Sequence, residues 1–302
     1  MSLVIRADVR RTVIDMDQLK TAVRLRTWTD MLVVSYLLLT AVIVLVERST
    51  LDRWPTYLVA HLAVAILVFS LRFAPWESKG WFQFLRSWYP VPLILVFYKE
   101  VELFAAAFGN WSLTDVVQLW ETFLFDGYPH IYLSEKLPWV LFSEYIHFCY
   151  FFHNIQILLI GGLFWVWNRL AFYELNFLVT TTLLCSYLFY MFFPVDSPFY
   201  LAPDLAKPLT GNFFYELVHF VSDRGGARGG AFPSSHVSVS VTVWLVVLFR
   251  ARRWAYLLTP ITVGLIFATV YGRFHYVLDS IVGFALALSI AGTYFLFRHK
   301  RG

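Results

Sequence analysis

The sequence has few charged residues and almost no cysteine. Of its 302 residues, 15% are Asp, Glu, Lys or Arg, whereas 59% are hydrophobic. Soluble domains carry about 25% charged residues, so this composition excludes an ordinary soluble domain and predicts a membrane protein. The two cysteines, Cys149 and Cys185, lie in apolar stretches. A disulfide framework and a cysteine metal site are therefore not expected.

Many of the hydrophobic residues lie in long apolar runs. A helix that crosses a bilayer needs about 17–25 residues, and eight runs are of this order. The third is the least apolar, because Lys99, Glu100 and Glu102 interrupt it. We therefore predict an all-α polytopic membrane helix bundle of about eight transmembrane helices. The predicted spans are residues 30–47, 55–72, 88–108, 140–167, 172–193, 236–250, 254–271 and 276–297.

The basic residues predict the orientation of these spans. With eight spans, 16 of the 24 Lys and Arg residues fall on the side that also holds both termini. Cytoplasmic loops carry an excess of Lys and Arg, so both termini are expected to be cytoplasmic. This distribution over loops also argues against a nucleic-acid partner. The other eight basic residues are Arg48, Arg53, Lys99, Lys136, Lys207, Arg224, Arg228 and Arg273.

Two short polar segments stand at the starts of apolar runs in the last third of the chain. Gly229 to His236 reads Gly-Gly-Ala-Phe-Pro-Ser-Ser-His, and Tyr271 to Asp279 reads Tyr-Gly-Arg-Phe-His-Tyr-Val-Leu-Asp. His275 and Asp279 are about one helical turn apart, so their side chains can share a face and form a hydrogen bond. A glycine-rich loop, arginines, hydroxyls and histidines at helix N-termini are groups that bind a phosphate ester.

Together these segments resemble the second and third signatures of the type 2 phosphatidic acid phosphatase superfamily. The Arg-x-His-Tyr-x-x-Asp form of the later segment resembles the branch that contains inositol phosphorylceramide synthases. The resemblance implies a membrane phosphatase or phosphotransferase that acts on lipid-linked phosphate esters at the outer face, without a cofactor or metal ion. It also implies a six-helix core, which we place at residues 88–302. Residues 1–87 would then form an N-terminal cytoplasmic segment and two additional helices.

The resemblance implies roles for individual residues. His275 would be the nucleophile, forming a phosphohistidine that water or an alcohol later opens, and His236 would protonate the leaving oxygen. A histidine whose second ring nitrogen donates to Asp279 is also oriented and made more basic. Ser234 and Ser235 stand at a helix start, where hydroxyls and free backbone N–H groups can contact phosphate oxygens.

The chain departs from the family pattern in its cations. The first signature, Lys-x6-Arg-Pro, is expected at residues 190–198, which read Tyr-Met-Phe-Phe-Pro-Val-Asp-Ser-Pro and contain no basic residue. Thr269 also stands where the third signature usually has an arginine. Other basic residues must then hold the phosphate. The candidates are Arg273, Arg228, Arg224 and Lys207.

Two other classes of function, a transporter and a metal-dependent oxidase, fit these residues less well. A lipid or anion transporter can line its pathway with Arg and His, but the sequence has no inverted repeat, and its polar residues lie at helix ends on one face. A metal-dependent oxidase of the di-iron type needs two Glu-x-x-His motifs. Glu144 to His147, followed by His153, has this form, and we interpret it as a polar pair that packs between helices or lines the cavity. Glu216 to His219 has the same spacing.

Overall fold

The computed structural model describes residues 16–73, 80–107, 111–201 and 211–299, and these residues are mostly helical. Within these ranges the one β-type pairing is an isolated bridge between Val195 and Gly230. The helices are α1 Met16–Val46, α2 Trp54–Leu71, α3 Trp81–Trp88, α4 Pro90–Ala107, α5 Thr114–Phe125, α6 Pro129–Lys136, α7 Val140–Trp167, α8 Arg169–Phe192, α9 Pro198–Leu201, α10 Phe213–Gly225, α11 Ser235–Arg250, α12 Arg252–Tyr271, α13 Val277–Ala287, a π-helical turn Leu288–Gly292 and α14 Thr293–His299.

The predicted all-α polytopic bundle is confirmed, and the chain is a multi-pass integral membrane protein. Among the described residues, six helical segments are long and apolar enough to cross a membrane: α1, α2, α7, α8, α12 and the continuous segment Val277–Arg298. Helices also occupy the other two predicted positions. Of these, α11 is apolar but has only 16 residues, and α4 has 18 residues interrupted by Lys99, Glu100 and Glu102.

Helices α8 and α11 form the centre of the bundle. Helix α8 packs against α1, α4, α7 and α11, and α11 also packs against α12 and α13. In the most apolar window of α8, 61% of the residues are buried by other protein atoms, compared with 17% for α2. Helix α2 contacts mainly α1 and leaves most of its surface to lipid. The two ends of the bundle are called here the basic end, where α8 begins, and the histidine end, where α11 and α13 begin.

Buried ion pairs join the helices at the basic end. Arg86, just before α4, pairs with Asp30 of α1, and both side chains are 2% exposed. The Tyr89 hydroxyl donates to the same carboxylate at 2.7 Å. A second carboxylate, that of Glu174 on α8, contacts Arg250 and Arg298, which joins the ends of α11 and α14 to α8. These charges are tolerated in an apolar bundle because each faces an opposite charge.

Short helices occupy the connections at the histidine end. Helices α5 and α6 fill most of the connection between α4 and α7, and α10 lies in the connection between α8 and α11. The buried carboxylate of Glu121 on α5 accepts the backbone N–H groups of Val277 and Leu278, at 2.9 and 3.2 Å. Helix α5 therefore fixes the start of α13, directly after the loop that carries His275.

The Asp30–Arg86 pair gives a stability prediction. Asp30→Ala leaves a buried guanidinium without its carboxylate, which costs about 3 kcal/mol or more when a buried pair is broken. We expect a clearly lower unfolding temperature in detergent. Asp30→Ala with Arg86→Met removes both charges and should recover part of the loss. Asp17→Ala, at the exposed Lys20–Asp17 pair, is the matched control and should leave the unfolding temperature unchanged. Equal effects of the two single substitutions would contradict a stabilising role for the buried pair.

Candidate active site

The two polar segments predicted from the sequence meet at the histidine end. Helix α11 begins at Ser235, with the Ser234 hydroxyl accepting the N–H of Val237 at 3.4 Å as the N-cap. The Ser234 N–H donates to the backbone carbonyl of Asp279 at 2.9 Å. A Cβ at Gly283 would lie 2.5 Å from the Ser234 carbonyl oxygen, so α13 crosses the start of α11 more closely than any side chain allows. The loops before both helices are thereby held side by side.

His236 and His275 form a direct ring-to-ring contact. Nε2 of His275 lies 3.3 Å from Nδ1 of His236, and Nδ1 of His275 lies 2.9 Å from the carbonyl oxygen of Ala231. A carbonyl oxygen can only accept, so Nδ1 of His275 carries the proton and the neutral ring has a bare lone pair at Nε2. The hydrogen bond between the rings is then donated by Nδ1 of His236. The arrangement leaves His275 with a nucleophilic nitrogen directed at a potential acid.

Helix α7 holds His236 from its other side. The Tyr150 hydroxyl lies 3.1 Å from Nε2 of His236, and the two rings stack with their centroids 4.8 Å apart. The His153 ring lies 4.6 Å from the His236 ring, and Gln156 and Ser240 hydrogen-bond to Nδ1 of His153. His236 therefore has hydrogen-bonding partners on both ring nitrogens. If His236 becomes charged, its Nε2–H can donate a hydrogen bond to the Tyr150 hydroxyl.

Asp279 lies beside His275, but its shorter hydrogen bond is to the backbone of the loop. Its Oδ2 accepts the Tyr276 N–H at 2.8 Å, which caps α13. The same oxygen is 3.4 Å from Nδ1 of His275, beyond the usual length of a hydrogen bond between nitrogen and oxygen. The Ala231 carbonyl is the closer acceptor. Asp279 is fully buried, and its closest contact is with the backbone at the start of α13.

The protonation state of His275 follows from its burial. The residue lies in the loop between α12 and α13, and 4% of its surface is exposed. Burial lowers the pKa of His275 to about 4, against a small opposing effect from the Ala231 carbonyl. An ordinary histidine titrates near 6.5. His275 is therefore neutral at physiological pH, which is the form a nitrogen nucleophile requires.

The segment expected to hold the first signature supports the glycine-rich loop. The N–H of Val195 donates to the Gly229 carbonyl at 3.1 Å, and the N–H of Ala231 donates to the Val195 carbonyl at 3.0 Å. Asp196 accepts the Gly229 N–H at 2.8 Å. Gly229 has a φ of 77°, a conformation that glycine adopts without strain. These bonds fix Ala231, and with it the carbonyl that orients His275.

Most of the first backbone N–H groups of the two helices at this site already have hydrogen-bond partners. Ser234 is fully buried, and its hydroxyl is engaged as the N-cap of α11. The backbone N–H of Ser235 donates to the Tyr190 hydroxyl at 3.1 Å. At α13, Glu121 and Asp279 accept the first three N–H groups, those of Tyr276, Val277 and Leu278. Of the two predicted serines, Ser235 lines the cavity described below.

Of the predicted cations, the three arginines do not line the cavity that contains the two histidines. Arg273, with a φ of 62°, directs its guanidinium to the Ser134 hydroxyl on α6, at 2.8 Å. Arg228 is exposed, 5.9 Å from the centre of the Tyr200 ring, and Arg224 folds back onto Phe220 of its own helix. Lys207 lies outside the described residues. Thr269 hydrogen-bonds to Ser280 at 2.9 Å, so that position joins α12 to α13.

A cavity of about 560 Å³ extends from the two histidines toward the basic end. Helices α4, α7 and α8 form its long walls, α10 and the glycine-rich loop close its outer end, and its lining is mainly apolar. Trp88, Gly161 and Phe172 line the end farthest from the histidines. A chain lying along α8 from Phe172 to Tyr187 has roughly 22 Å of wall, at 1.5 Å per residue. This length is most of the hydrocarbon thickness of a bilayer.

Three residues that line the cavity were not among the site candidates of the sequence analysis: Tyr98, Lys99 and Tyr150. Among the lysines and arginines that the structure describes, Lys99 is the only one that lines the cavity. Its position in an apolar run was a usable signal, because a charge inside a membrane helix commonly serves function. No local pattern marks Tyr150, which reaches His236 from 86 residues away.

Glu144 and His147 do not form a metal half-site with His153. The Glu144 carboxylate accepts the N–H groups of Asn212, Phe214 and Tyr215 at 2.6 to 3.1 Å and so caps α10. Nδ1 of His147 donates to the carbonyl of Ser143 at 2.7 Å, whereas His153 lines the cavity. Within the described ranges, no three His, Cys, Asp or Glu side chains are grouped to hold a metal ion.

Comparison with known proteins identifies the family. Searches of curated proteins and of solved structures find no match. A family model described as the PAP2 superfamily matches residues 116–293, which is more than half of the chain and includes His236, His275 and Asp279. Membership indicates phosphatase or phosphotransferase activity on phosphate esters. The chain belongs to the PAP2, or type 2 phosphatidic acid phosphatase, superfamily.

Proposed function

We propose that the protein transfers the phosphoryl group of a lipid-linked phosphate ester through a phosphohistidine on His275. The observation that carries this proposal is that one cavity contains both the paired histidines and a long apolar channel. One end holds the paired histidines, and the rest is an apolar channel roughly 22 Å long beside α8. A phosphate ester with a long hydrocarbon chain matches both parts. The proposal places the catalytic core at residues 88–302, with α1 and α2 as additional helices.

The substrate would enter from the lipid phase. Leu95 on α4 and Leu158 on α7 line the cavity, and they are 66% and 54% exposed at the surface that faces lipid. A hydrocarbon chain can therefore pass between α4 and α7 without crossing water. Asn176, a polar lining residue, donates to the Ser87 carbonyl at 2.7 Å. Its polar group is thus satisfied within the protein and does not oppose an apolar chain.

In the chemistry proposed here, the phosphate enters between the two rings and displaces the hydrogen bond between Nε2 of His275 and Nδ1 of His236. Nε2 of His275 forms a bond to phosphorus while the bond from phosphorus to the leaving oxygen breaks. Nδ1–H of a protonated His236 gives its proton to that oxygen, and Nε2–H donates to Tyr150. The negative charge of the bound phosphate favours the protonated form of His236. Water or an alcohol then opens the phosphohistidine and returns a proton to His236.

Transfer to an alcohol is the second form of this function. The Arg-x-His-Tyr-x-x-Asp pattern and the missing basic first signature favour the inositol phosphorylceramide synthase-like branch. The low exposure of His275, 4%, also favours transfer, because a phosphohistidine shielded from water survives until an alcohol arrives. Analysis of the phosphorylated product with and without inositol separates transfer from hydrolysis.

The orientation of the bundle gives a labelling prediction. The excess of Lys and Arg at the basic end supports a cytoplasmic location for both termini and an outward-facing histidine end. In a variant with Cys149 and Cys185 replaced by alanine, a membrane-impermeant thiol reagent should label a cysteine at position 228 but not one at 252. Labelling at 252 alone would invert the topology.

The two histidines should be separable by the leaving group of the substrate. His275→Ala should abolish turnover and the phosphoenzyme for every substrate. His236→Ala should lose about 10²–10⁴-fold in rate on a lipid phosphate but keep measurable activity on an activated aryl phosphate, whose leaving group needs no proton. The measurements are steady-state rates and acid-labile phosphate on the protein. A phosphoenzyme that persists in His275→Ala would contradict the assignment.

The apolar channel should determine chain-length preference. Val179→Phe fills the channel midway along α8, where Val179 is 3% exposed and lines the cavity. We expect the ratio of kcat/KM for long-chain to short-chain lipid phosphates to fall at least about tenfold, since a single misplaced methylene in an apolar pocket costs that much. Activity on a chain-free aryl phosphate should persist. Val166→Phe, on the lipid-facing surface of α7 and 73% exposed, is the control. An unchanged ratio in Val179→Phe would place the hydrocarbon chain elsewhere.

A further inference from the structure

Lys99 lies on the α4 wall of the cavity, at the level where α10 ends. Its Nζ donates to the carbonyl oxygen of Gly225 at 3.0 Å, and Gly225 is the last residue of α10. The hydroxyl of the preceding residue, Tyr98, accepts the N–H of Ala227 at 3.2 Å. All four residues line the cavity. Two neighbouring residues of α4 therefore hold the end of α10 and the loop that leads to the glycine-rich segment.

The cavity needs a positive charge if it is to hold a phosphate. Its walls are mainly apolar, and a phosphate oxyanion in such surroundings requires a cation or several N–H donors. The N–H groups at the start of α13 are engaged by Glu121 and Asp279, and the Ser235 N–H by Tyr190. In the described part of the chain, Lys99 is the one Lys or Arg in the cavity lining.

We infer that Lys99 is the residue that holds the phosphate group of the substrate, an inference that rests on the proposed function. An ammonium group has three N–H donors, so it can contact phosphate oxygens while it keeps its bond to Gly225. The same contact then fixes α10 against α4 over a bound phosphate. Helix α4 thus supplies the charge that the family's first signature supplies elsewhere in the fold, and which residues 190–198 lack.

A purely structural role for Lys99 makes a different prediction, because it needs only a hydrogen-bond donor to Gly225. Three substitutions separate the roles. Lys99→Gln keeps an N–H donor and removes the charge, Lys99→Met removes both, and Lys99→Arg keeps both. Lys136→Met is the matched control, since it removes one exposed positive charge on α6 at the same end of the bundle, away from the cavity lining.

The measurement is the inhibition constant of inorganic phosphate, together with KM and kcat for an aryl phosphate, on the full-length protein in detergent. Lys99→Gln and Lys99→Met should both raise the inhibition constant and KM at least about tenfold, since a charged contact of this kind is lost. Phosphoenzyme should still form at saturating substrate. Lys99→Arg should stay within a few-fold of the native protein, and Lys136→Met should match it.

Native phosphate inhibition in Lys99→Gln, with a loss confined to Lys99→Met, would show that Lys99 only fastens α10 and would overturn the inference. If Lys99→Met does not fold, the comparison of Lys99→Gln with Lys99→Arg decides the question, with the unfolding temperature of each as the folding control. A native protein that neither turns over the aryl phosphate nor binds phosphate would overturn the proposed function itself. If the native protein is active and Lys99→Gln keeps the native inhibition constant for phosphate, only the inference about Lys99 is overturned and the proposed function is not.

Discussion

The geometry of the histidine end depends on the crossing of α13 over the start of α11. Only glycine at position 283 permits the backbone of α13 to approach the Ser234 carbonyl so closely. The approach places the Ser234 N–H on the Asp279 carbonyl and brings His236 and His275 within 3.3 Å of each other. His236 is in the first turn of α11, and His275 lies in the loop before α13. A shift of one helix by about a side-chain width would separate the two ring nitrogens and remove the arrangement that links nucleophile to acid.

The buried carboxylates at the basic end and Lys99 have different surroundings. Asp30 and Glu174 are buried carboxylates, and each contacts arginine at the basic end. In each pair, the attraction between opposite charges offsets the cost of removing them from water, and the contact joins two helices. Lys99 instead contacts a neutral carbonyl, at the wall of a cavity. Lys99 is also exposed, so its charge is available to a ligand.

The sequence was sufficient for the helices and for the histidine pair, because both are encoded locally. Apolar runs mark the eight positions at which the long apolar helices of the described residues occur, six of them of bilayer length, and the two polar segments lie at helix starts. The four-residue spacing of His275 and Asp279 was less informative, because α13 begins only at Val277, so the two side chains do not share a helical turn. His275 reaches the Ala231 carbonyl instead, a partner that depends on how two distant loops pack.

The cations were the least predictable part of the site. Arg273 is two residues from His275, but its left-handed backbone and the Ser134 hydroxyl on α6 draw the guanidinium to the other side of the loop. Proximity in sequence therefore did not give proximity to the cavity. Lys99 is far away in sequence and reaches the cavity because α4 packs on α8. Such contacts between helices follow from side-chain packing along their whole length, which no short motif contains.

The carboxylates around the site explain why a side chain has to supply the positive charge. A helix N-terminus attracts anions through its unpaired N–H groups and the helix dipole. Here Glu121 and Asp279 occupy the start of α13, and Glu144 occupies the start of α10. These carboxylates fix the loops with charge-assisted hydrogen bonds, but they also neutralise the partial charges that a phosphate would use. The loop that carries His275 is thus held rigidly, but the N–H groups at the start of α13 are no longer available to an anion. On the α4 wall of the cavity, the ammonium group of Lys99 can balance the charge of a phosphate.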